Sequence, residues 1–194
     1  RSAPLKHKDW LIATPAPHEY LDAFPDLPRL VAQALYNRGY TDPPTARAFL
    51  DGGTTDTNPF AMRGMQEAVR RLRDAIRRNE PIAVYGDYDV DGVTAATILF
   101  HTFRTIAPDA PVRIYIPHRL DEGYGLSSSA VTQLAAEGAR IIVSVDCGIT
   151  ARDPATAALA AGVDLIITDH HNPPATLADL PAAYAVVHPR RPDS

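Results

Sequence analysis

Three aspartates occupy alternate positions of one short segment, Asp87-Tyr88-Asp89-Val90-Asp91-Gly92. Carboxylates this close repel one another unless they are protonated or bridged by cations. Hard oxygen ligands of this kind suit Mg²⁺ or Mn²⁺, so the segment is a candidate metal site. The alternative is a turn whose Asp side chains cap the next helix. An EF-hand loop is excluded, because apolar Val93 follows Gly92 and no Glu stands at the twelfth position.

A second chemical cluster is the triplet Asp169-His170-His171, which follows the apolar run Ile166-Ile167-Thr168. Adjacent side chains point in different directions, so we expect one histidine to bind a metal and the other to face a substrate phosphate. Mixed Asp and His ligands are typical of two-metal phosphoesterases. Asp146 also follows an apolar run. It therefore joins the same candidate site.

Other reactive residue types have plainer interpretations. Cys147 follows Asp146 but has no paired base in sequence, so we interpret it as a packing residue and not as a nucleophile. The arginines between positions 70 and 78 are interpreted as the solvated face of a helix, with a phosphate-contacting strip as the alternative. His188 is isolated and is interpreted as a surface or core histidine.

The elements that position these residues follow from hydrophobic periodicity. Short runs rich in Ile and Val alternate with segments whose apolar residues recur at helical spacing. The predicted strands are Ile82–Tyr85, Val112–Ile116, Arg140–Val145, Asp164–Thr168 and Tyr184–Val187. The predicted helices are Met65–Ile76, Val93–Ile106, Ser127–Glu137 and Arg152–Ala161. Such near-continuous apolar strands are expected when helices cover both faces of a parallel sheet.

These patterns predict an α/β fold with a mostly parallel sheet of about five strands flanked by helices. Ligands of open parallel sheets bind at the carboxyl ends of the strands. Four successive predicted strands are followed there by Asp or His, in the order Asp87, His118, Asp146 and Asp169. Residues 1–60 form a small helical lead-in, with helices predicted at Leu27–Arg38 and Pro43–Leu50, and residues 61–194 form the main domain.

Composition narrows the class of protein. The chain has 194 residues and a net charge of −4, which excludes a uniformly basic nucleic-acid sleeve but permits a local basic groove. A single cysteine points to a reducing compartment. The sequence contains no apolar run of membrane-spanning length, and Arg1 does not begin a signal-peptide pattern. We therefore expect a cytoplasmic protein with no membrane partner.

Together these motifs resemble the DHH phosphoesterase superfamily, named for the triplet that is Asp169–His171 here. Within it, the chain is most similar to the bacterial exonucleases that act on single-stranded DNA. The stretch Glu122–Ser127 separates these from the pyrophosphatases and cyclic-dinucleotide phosphodiesterases of the superfamily. The resemblance covers essentially the whole chain. Its main segments are Tyr85–Thr94, Arg119–Ser127, Asp146–Gly148 and Asp169–His171.

The resemblance implies a Mn²⁺- or Mg²⁺-dependent enzyme that degrades single-stranded DNA from the 5′ end to mononucleotides. The metal ligands that it implies are Asp89, Asp91, Asp146 and His170. Asp146 would bridge two ions. Asp87 and His171 would act with it, close to the metals or the scissile phosphate. Arg119 would anchor the terminal 5′ phosphate, because its planar guanidinium suits bidentate contact.

The same resemblance implies a setting in DNA repair and recombination. Single-stranded DNA is the expected partner, with a single-strand-binding protein and a RecQ-type helicase as further partners. The family pattern continues beyond the segment 188–193, so we expect 61–194 to be a C-terminally truncated DHH domain that lacks the DHH-associated and OB-fold domains. The alternatives are a DHH phosphodiesterase of short oligonucleotides or cyclic dinucleotides, and a catalytically silent scaffold module. The intact Asp and His residues argue against the scaffold.

Overall fold

The computed structural model of the protein describes residues 11–52 and 58–193. The chain divides into two compact units between positions 57 and 58, whereas the sequence places this boundary at 60/61. The first ten residues of the expected lead-in lie outside the described ranges. Each unit has its own buried apolar side chains.

The first unit is helical. Its helices are α1 (His18–Asp22), α2 (Arg29–Asn37) and α3 (Pro43–Leu50). Asp42 caps α3 by accepting a hydrogen bond from the backbone N–H of Thr45. Tyr20 and Phe24 pack in its core with their ring centroids 5.1 Å apart. Helices α2 and α3 confirm the two helices predicted for this unit, at Leu27–Arg38 and Pro43–Leu50. The sequence pattern misses α1, because five residues are too few to show helical periodicity.

The second unit alternates strands and helices. Its helices are α4 (Met65–Arg77), α5 (Val90–Ile106), α6 (Ser128–Ala136) and α7 (Arg152–Ala160). Its strands are β1 (Ile82–Gly86), β2 (Val112–Tyr115), β3 (Ile141–Val145), β4 (Asp164–Thr168) and β5 (Ala185–Val187). All neighbouring strands pair in parallel, in the order β2-β1-β3-β4-β5. The predicted α/β fold with a mostly parallel sheet of about five strands is confirmed, and in the described ranges the sheet has five strands that are all parallel.

The sheet is covered on both faces. Alternate strand residues, such as Ala83 and Ile142, face a core that contains Val131 and Leu134 of α6. The intervening strand residues, such as Val84, face a core that contains residues of α4 and α5. Strands β1 and β3 are buried along their whole length, which explains their continuous apolar sequences.

Strand register brings the polar residues together. Gly86 of β1 pairs with Val145 of β3, and Val145 pairs with Thr168 of β4. The chain therefore leaves three adjacent strands at the same level. Asp87, Asp146 and Asp169 follow these paired residues, so their carboxyl groups emerge side by side at the carboxyl edge of the sheet.

Helix α5 begins at Val90, whereas the sequence pattern predicts a start at Val93. The side chain of Asp89 caps the helix by accepting a hydrogen bond from the N–H of Gly92, which draws the preceding residues into the first turn. Asp91 consequently lies within the helix and not in a loop. With 17 residues, α5 is the longest helix of the described ranges, and none of these helices is long and apolar enough to cross a membrane.

Candidate metal centre

Asp87 is the first residue after β1 and is fully buried. Its Oδ1 accepts a hydrogen bond of 2.6 Å from the backbone N–H of Tyr88. Its Oδ2 is buried without a hydrogen-bond partner in the described part of the chain. Burial raises the pKa of Asp87, and the charge of Asp89 raises it further. A carboxylate oxygen in this state would be stabilised by a cation.

Asp89 fulfils the capping alternative that the sequence leaves open. Its Oδ1 lies 3.0 Å from the N–H of Gly92, and this hydrogen bond lowers the pKa of Asp89. A Cβ on Gly92 would stand 2.5 Å from the backbone N and O of Asp87, so only glycine allows α5 to start this close to the end of β1. A capping carboxylate keeps its second oxygen for other contacts, so capping and metal binding are compatible.

Asp146 occupies a strained position directly after β3. Its backbone lies in the left-handed region, with φ of 61°. Its side chain is 5% exposed, and its Oδ1 lies 2.9 Å from Nε2 of His170. Its Oδ2 is buried without a hydrogen-bond partner among the described residues. Burial raises the pKa of Asp146, while the contact with His170 opposes that rise.

Asp169 organises the segment that follows β4. Its carboxylate accepts hydrogen bonds from the backbone N–H groups of Ile149, His170 and His171, at 2.6–3.0 Å. It also accepts one from Nδ1 of His171 at 2.8 Å. Burial opposes the charge of Asp169, but these donors prevail and lower its pKa. The hydrogen bond between Asp169 and the His171 ring raises the pKa of His171. Asp169 therefore orients the His171 ring.

One group of potential ligands converges at this edge of the sheet. Ligand atoms of Asp146, His170 and His171 all lie within 4.8 Å of one another. Because Nδ1–H of His171 is held by Asp169, its Nε2 is free to accept a proton donor or a metal. This Nε2 lies 3.0 Å from the hydroxyl of Tyr124. In the neutral ring Nδ1 carries the proton that Asp169 accepts, so Nε2 accepts and the Tyr124 hydroxyl donates.

A cavity of about 380 Å³ opens beside this group. Asp91 and Thr94 from α5 line the cavity together with Asp146 and His170. The structure thus brings Asp91 to the same cavity, although Asp91 is not among the three converging ligands. Both imidazoles are solvent-accessible, with 61% of the His170 side chain and 42% of the His171 side chain exposed.

Arg119 lies apart from the converging ligands. It is exposed, and its guanidinium carbon stands 5.1 Å from the centroid of the Tyr88 ring. Tyr88 in turn makes an edge contact of 6.4 Å with Tyr124, which reaches His171. The structure therefore connects Arg119 to the candidate site through two tyrosines and not by direct contact.

Three contributors are not singled out by sequence reasoning: Tyr124, His188 and Arg190. Tyr124 contacts a residue 47 positions away, and His188 contacts one 17 positions away. No local spacing signals such partners. The available clues are the position of His188 directly after the last predicted strand, and the stretches Glu122–Ser127 and 188–193 of the family resemblance, which contain the three residues. The interpretation of Cys147 is confirmed, since it is buried and its burial raises the pKa of the thiol.

The residues present fit a divalent cation. Buried carboxylate oxygens of Asp87 and Asp146 have no hydrogen-bond donor in the described ranges. The donor set combines these hard oxygens with imidazole nitrogens, as Mn²⁺ accepts. His171 also donates its other ring N–H to a carboxylate, an arrangement common in metal-ligating histidines.

This architecture defines the class: a parallel α/β domain that carries a mixed carboxylate and imidazole centre at the carboxyl edge of its sheet. The family described as DHH family, N-terminal domain, matches residues 81–194, and the chain belongs to this family. The resemblance predicted from the motifs is thereby confirmed.

Curated and solved relatives agree with this assignment. The chain is 43% identical over 164 residues to the single-stranded-DNA-specific exonuclease RecJ of Bacillus subtilis, covering 84% of this chain and 20% of that protein. It is 36% identical over 163 residues to RecJ of Thermus thermophilus, covering 81% and 22%. The chain thus spans about a fifth of the length of these relatives.

Two solved structures are also similar. A crystal structure of exonuclease RecJ bound to manganese superimposes with a TM-score of 0.61 at 38% identity, covering 69% of this chain and 33% of that one. RecJ from Thermus thermophilus in complex with Mn²⁺ superimposes with a TM-score of 0.60 at 29% identity, covering 91% and 24%.

Proposed function

We propose that this chain is the catalytic DHH domain of a metal-dependent exonuclease that degrades single-stranded DNA from its 5′ end to mononucleotides. One observation carries the proposal. At the carboxyl edge of a DHH-family sheet, ligand atoms of Asp146, His170 and His171 lie within 4.8 Å of one another. The names of the curated relatives support the choice of substrate.

In this proposal the ions are held by Asp89, Asp91, Asp146 and His170. Asp146 suits a bridging role, because one of its oxygens faces His170 and the other is buried without a donor in the described ranges. Asp89 directs one oxygen to its helix cap and keeps the other for the metal. Manganese in the two solved relatives supports Mn²⁺. Mg²⁺ and a count of two ions are further parts of the proposal.

The bound ions would activate water and neutralise phosphate charge. The protein's own residues do the positioning. Asp169 holds Nδ1–H of His171, which leaves Nε2, beside the Tyr124 hydroxyl, as the ring nitrogen that would exchange a proton with the substrate. Asp87 adds a buried carboxyl group directly after β1, next to the end of β3. Arg119 is exposed and free to form two parallel hydrogen bonds with a terminal 5′ phosphate.

The cellular setting follows from the same proposal. We place the protein in the cytoplasm, in DNA repair and recombination. Single-stranded DNA is its substrate, and a single-strand-binding protein and a RecQ-type helicase are proposed partners. The short-oligonucleotide and cyclic-dinucleotide alternative is less favoured, because the relatives are named as single-stranded-DNA exonucleases. The scaffold alternative is less favoured because the candidate ligands are intact and converge.

The test is nuclease activity in the protein that carries this domain. A 5′-phosphorylated single strand labelled at its 3′ end, incubated with Mn²⁺, should be shortened from the 5′ end with release of mononucleotides. Asp146→Asn should lower the rate by more than about 100-fold, since even outer-shell partners of a metal cost 10–100-fold. The matched control is Asp109→Asn, an exposed aspartate before β2. Full activity of Asp146→Asn at saturating Mn²⁺ would contradict the assignment.

A further inference from the structure

The segment after β5 holds the backbone of the DHH triplet. His188 directly follows β5 and is fully buried. Its Nε2 lies 2.7 Å from the carbonyl oxygen of His171. Its Nδ1 lies 3.0 Å from the backbone nitrogen of Arg190. A buried imidazole thus makes a hydrogen bond with each of its nitrogens, and one of them ends on a candidate site residue.

These partners determine the proton position on His188. A carbonyl oxygen only accepts, so Nε2 must carry the proton. A backbone N–H only donates, so Nδ1 must present its lone pair. The geometry therefore requires the neutral ring with its hydrogen on Nε2.

Arg190 adds a second hold on the same backbone. Its Nη2 donates a hydrogen bond of 2.7 Å to the carbonyl oxygen of His170 and lies 3.4 Å from that of His171. The rings of the two histidines are meanwhile held by Asp146 and Asp169, at 2.9 and 2.8 Å. Each histidine is thus restrained at its ring and at its carbonyl group.

We propose that His188 and Arg190, here called the carbonyl clamp, are positioning residues of the metal centre. They hold the His170-His171 backbone, so that the His170 ring keeps Nε2 directed at Asp146 and the His171 ring keeps Nδ1 directed at Asp169. Metal sites lose affinity when the groups that orient their ligands are removed, typically by 10–100-fold. The metal-binding consequence rests on the proposed function, whereas the hydrogen-bond pattern does not.

The first test needs no metal. Long-range ¹H–¹⁵N spectra of the ¹⁵N-labelled protein distinguish the two neutral tautomers of a histidine by the shifts of its ring nitrogens. We expect His188 to be protonated at Nε2 and unprotonated at Nδ1. Protonation at Nδ1 would overturn the proposal, because the ring could then not donate to the carbonyl of His171.

The second test compares two neighbouring arginines by calorimetric titration with Mn²⁺. Arg190→Ala removes the hydrogen bonds to the triplet and should weaken Mn²⁺ binding about tenfold. The matched control is Arg191→Ala. Arg191 also donates to a backbone carbonyl, that of Val186, and pairs with Asp193, but these contacts lie within its own segment. Arg191→Ala should lower the melting temperature and leave the Mn²⁺ affinity within about twofold of the wild-type value.

Variants of His188 provide rescue. His188→Leu removes both hydrogen bonds, while His188→Gln keeps an N–H donor at a similar reach, so Mn²⁺ affinity should fall in the first and largely return in the second. If His188→Leu does not fold, the Mn²⁺ affinity of Arg190→Ala and the tautomer of His188 still test the carbonyl clamp.

A wild-type chain that binds no Mn²⁺ would overturn the proposed metal centre and this inference together. Normal wild-type binding, with unchanged affinity in Arg190→Ala, would overturn the carbonyl clamp alone.

Discussion

Nε2 of His170 lies 2.9 Å from Oδ1 of Asp146, although 24 residues separate them in the chain. The contact exists because β3 and β4 are neighbours, with Val145 paired to Thr168. Parallel pairing at this level places the residues that follow the two strands beside each other. The candidate centre is therefore a direct consequence of strand order and register.

Asp169→Asn should lower the pKa of His171, because the Asp169 carboxylate is the main cause of its raised value. NMR titration of the His171 ring measures this. The raised pKa of His171 contributes stability that is present below its unfolded pKa and lost as pH rises through the folded value. The lowered pKa of Asp169 contributes stability that is present above its unfolded pKa and lost as pH falls through the folded value.

The variant removes both contributions, so its loss of stability should be largest between the ordinary pKa values of aspartate and histidine, about 3.9 and 6.5. Urea unfolding near the middle of that range should show a decrease of about 1–3 kcal/mol, since a buried carboxylate with four donors is lost. Asp109→Asn serves as the exposed control. An unchanged His171 titration would contradict the orienting role of Asp169.

In the proposed exonuclease, Arg119→Ala should reduce the preference for 5′-phosphorylated over 5′-hydroxyl single strands by about tenfold, the usual contribution of a charge-assisted contact. Cleavage rates on the two otherwise identical substrates give this ratio. Arg140→Ala is the matched control, because Arg140 is also exposed but precedes β3 at the opposite edge of the sheet. If the ratio stays the same in Arg119→Ala, the terminal phosphate is bound elsewhere.

Gly92→Ala should destabilise the protein by about 1–3 kcal/mol, since the new Cβ would overlap the backbone of Asp87 at 2.5 Å. Relief of this overlap moves the first turn of α5, which carries Asp91, so Mn²⁺ affinity should also fall. Thermal unfolding and calorimetry measure the two effects. Thr102→Ala, exposed on the same helix, should change stability by less than about 0.5 kcal/mol. If Gly92→Ala keeps the stability and the Mn²⁺ affinity of the wild type, the prediction is contradicted and α5 tolerates displacement.

Arg71→Gln should lower stability without weakening Mn²⁺ binding. Arg71 of α4 pairs with Asp164 at 2.5 Å and with Glu80 at 2.7 Å, and its side chain is 13% exposed. Breaking this partly buried network should cost about 1–3 kcal/mol, less than a fully buried pair. Asp164 begins β4, so the network lies at the edge opposite the candidate metal centre. Arg70→Gln, at an exposed position of α4, is the control; equal melting temperatures would contradict the prediction.

Much of the site is predictable because parallel sheets obey a simple rule. Continuous apolar runs predict buried parallel strands, and the carboxyl ends of such strands meet at one edge. The aspartates and histidines after those runs are therefore expected to gather on the grounds of sequence alone. The predicted start of α5 is wrong because periodicity registers apolar residues, whereas the helix is started by the polar cap of Asp89.

The sequence by itself determined the fold class, the edge of the sheet that carries the chemistry and the residue types available there. Tertiary structure decided which of those residues touch. It placed β3 beside β4 and so joined Asp146 to His170, directed His171 toward Tyr124 through Asp169, and brought His188 and Arg190 behind the triplet. The physical reason is that hydrophobic periodicity reports which face of an element is buried. Contacts between distant residues depend instead on strand order, register and packing, which a local sequence pattern does not report.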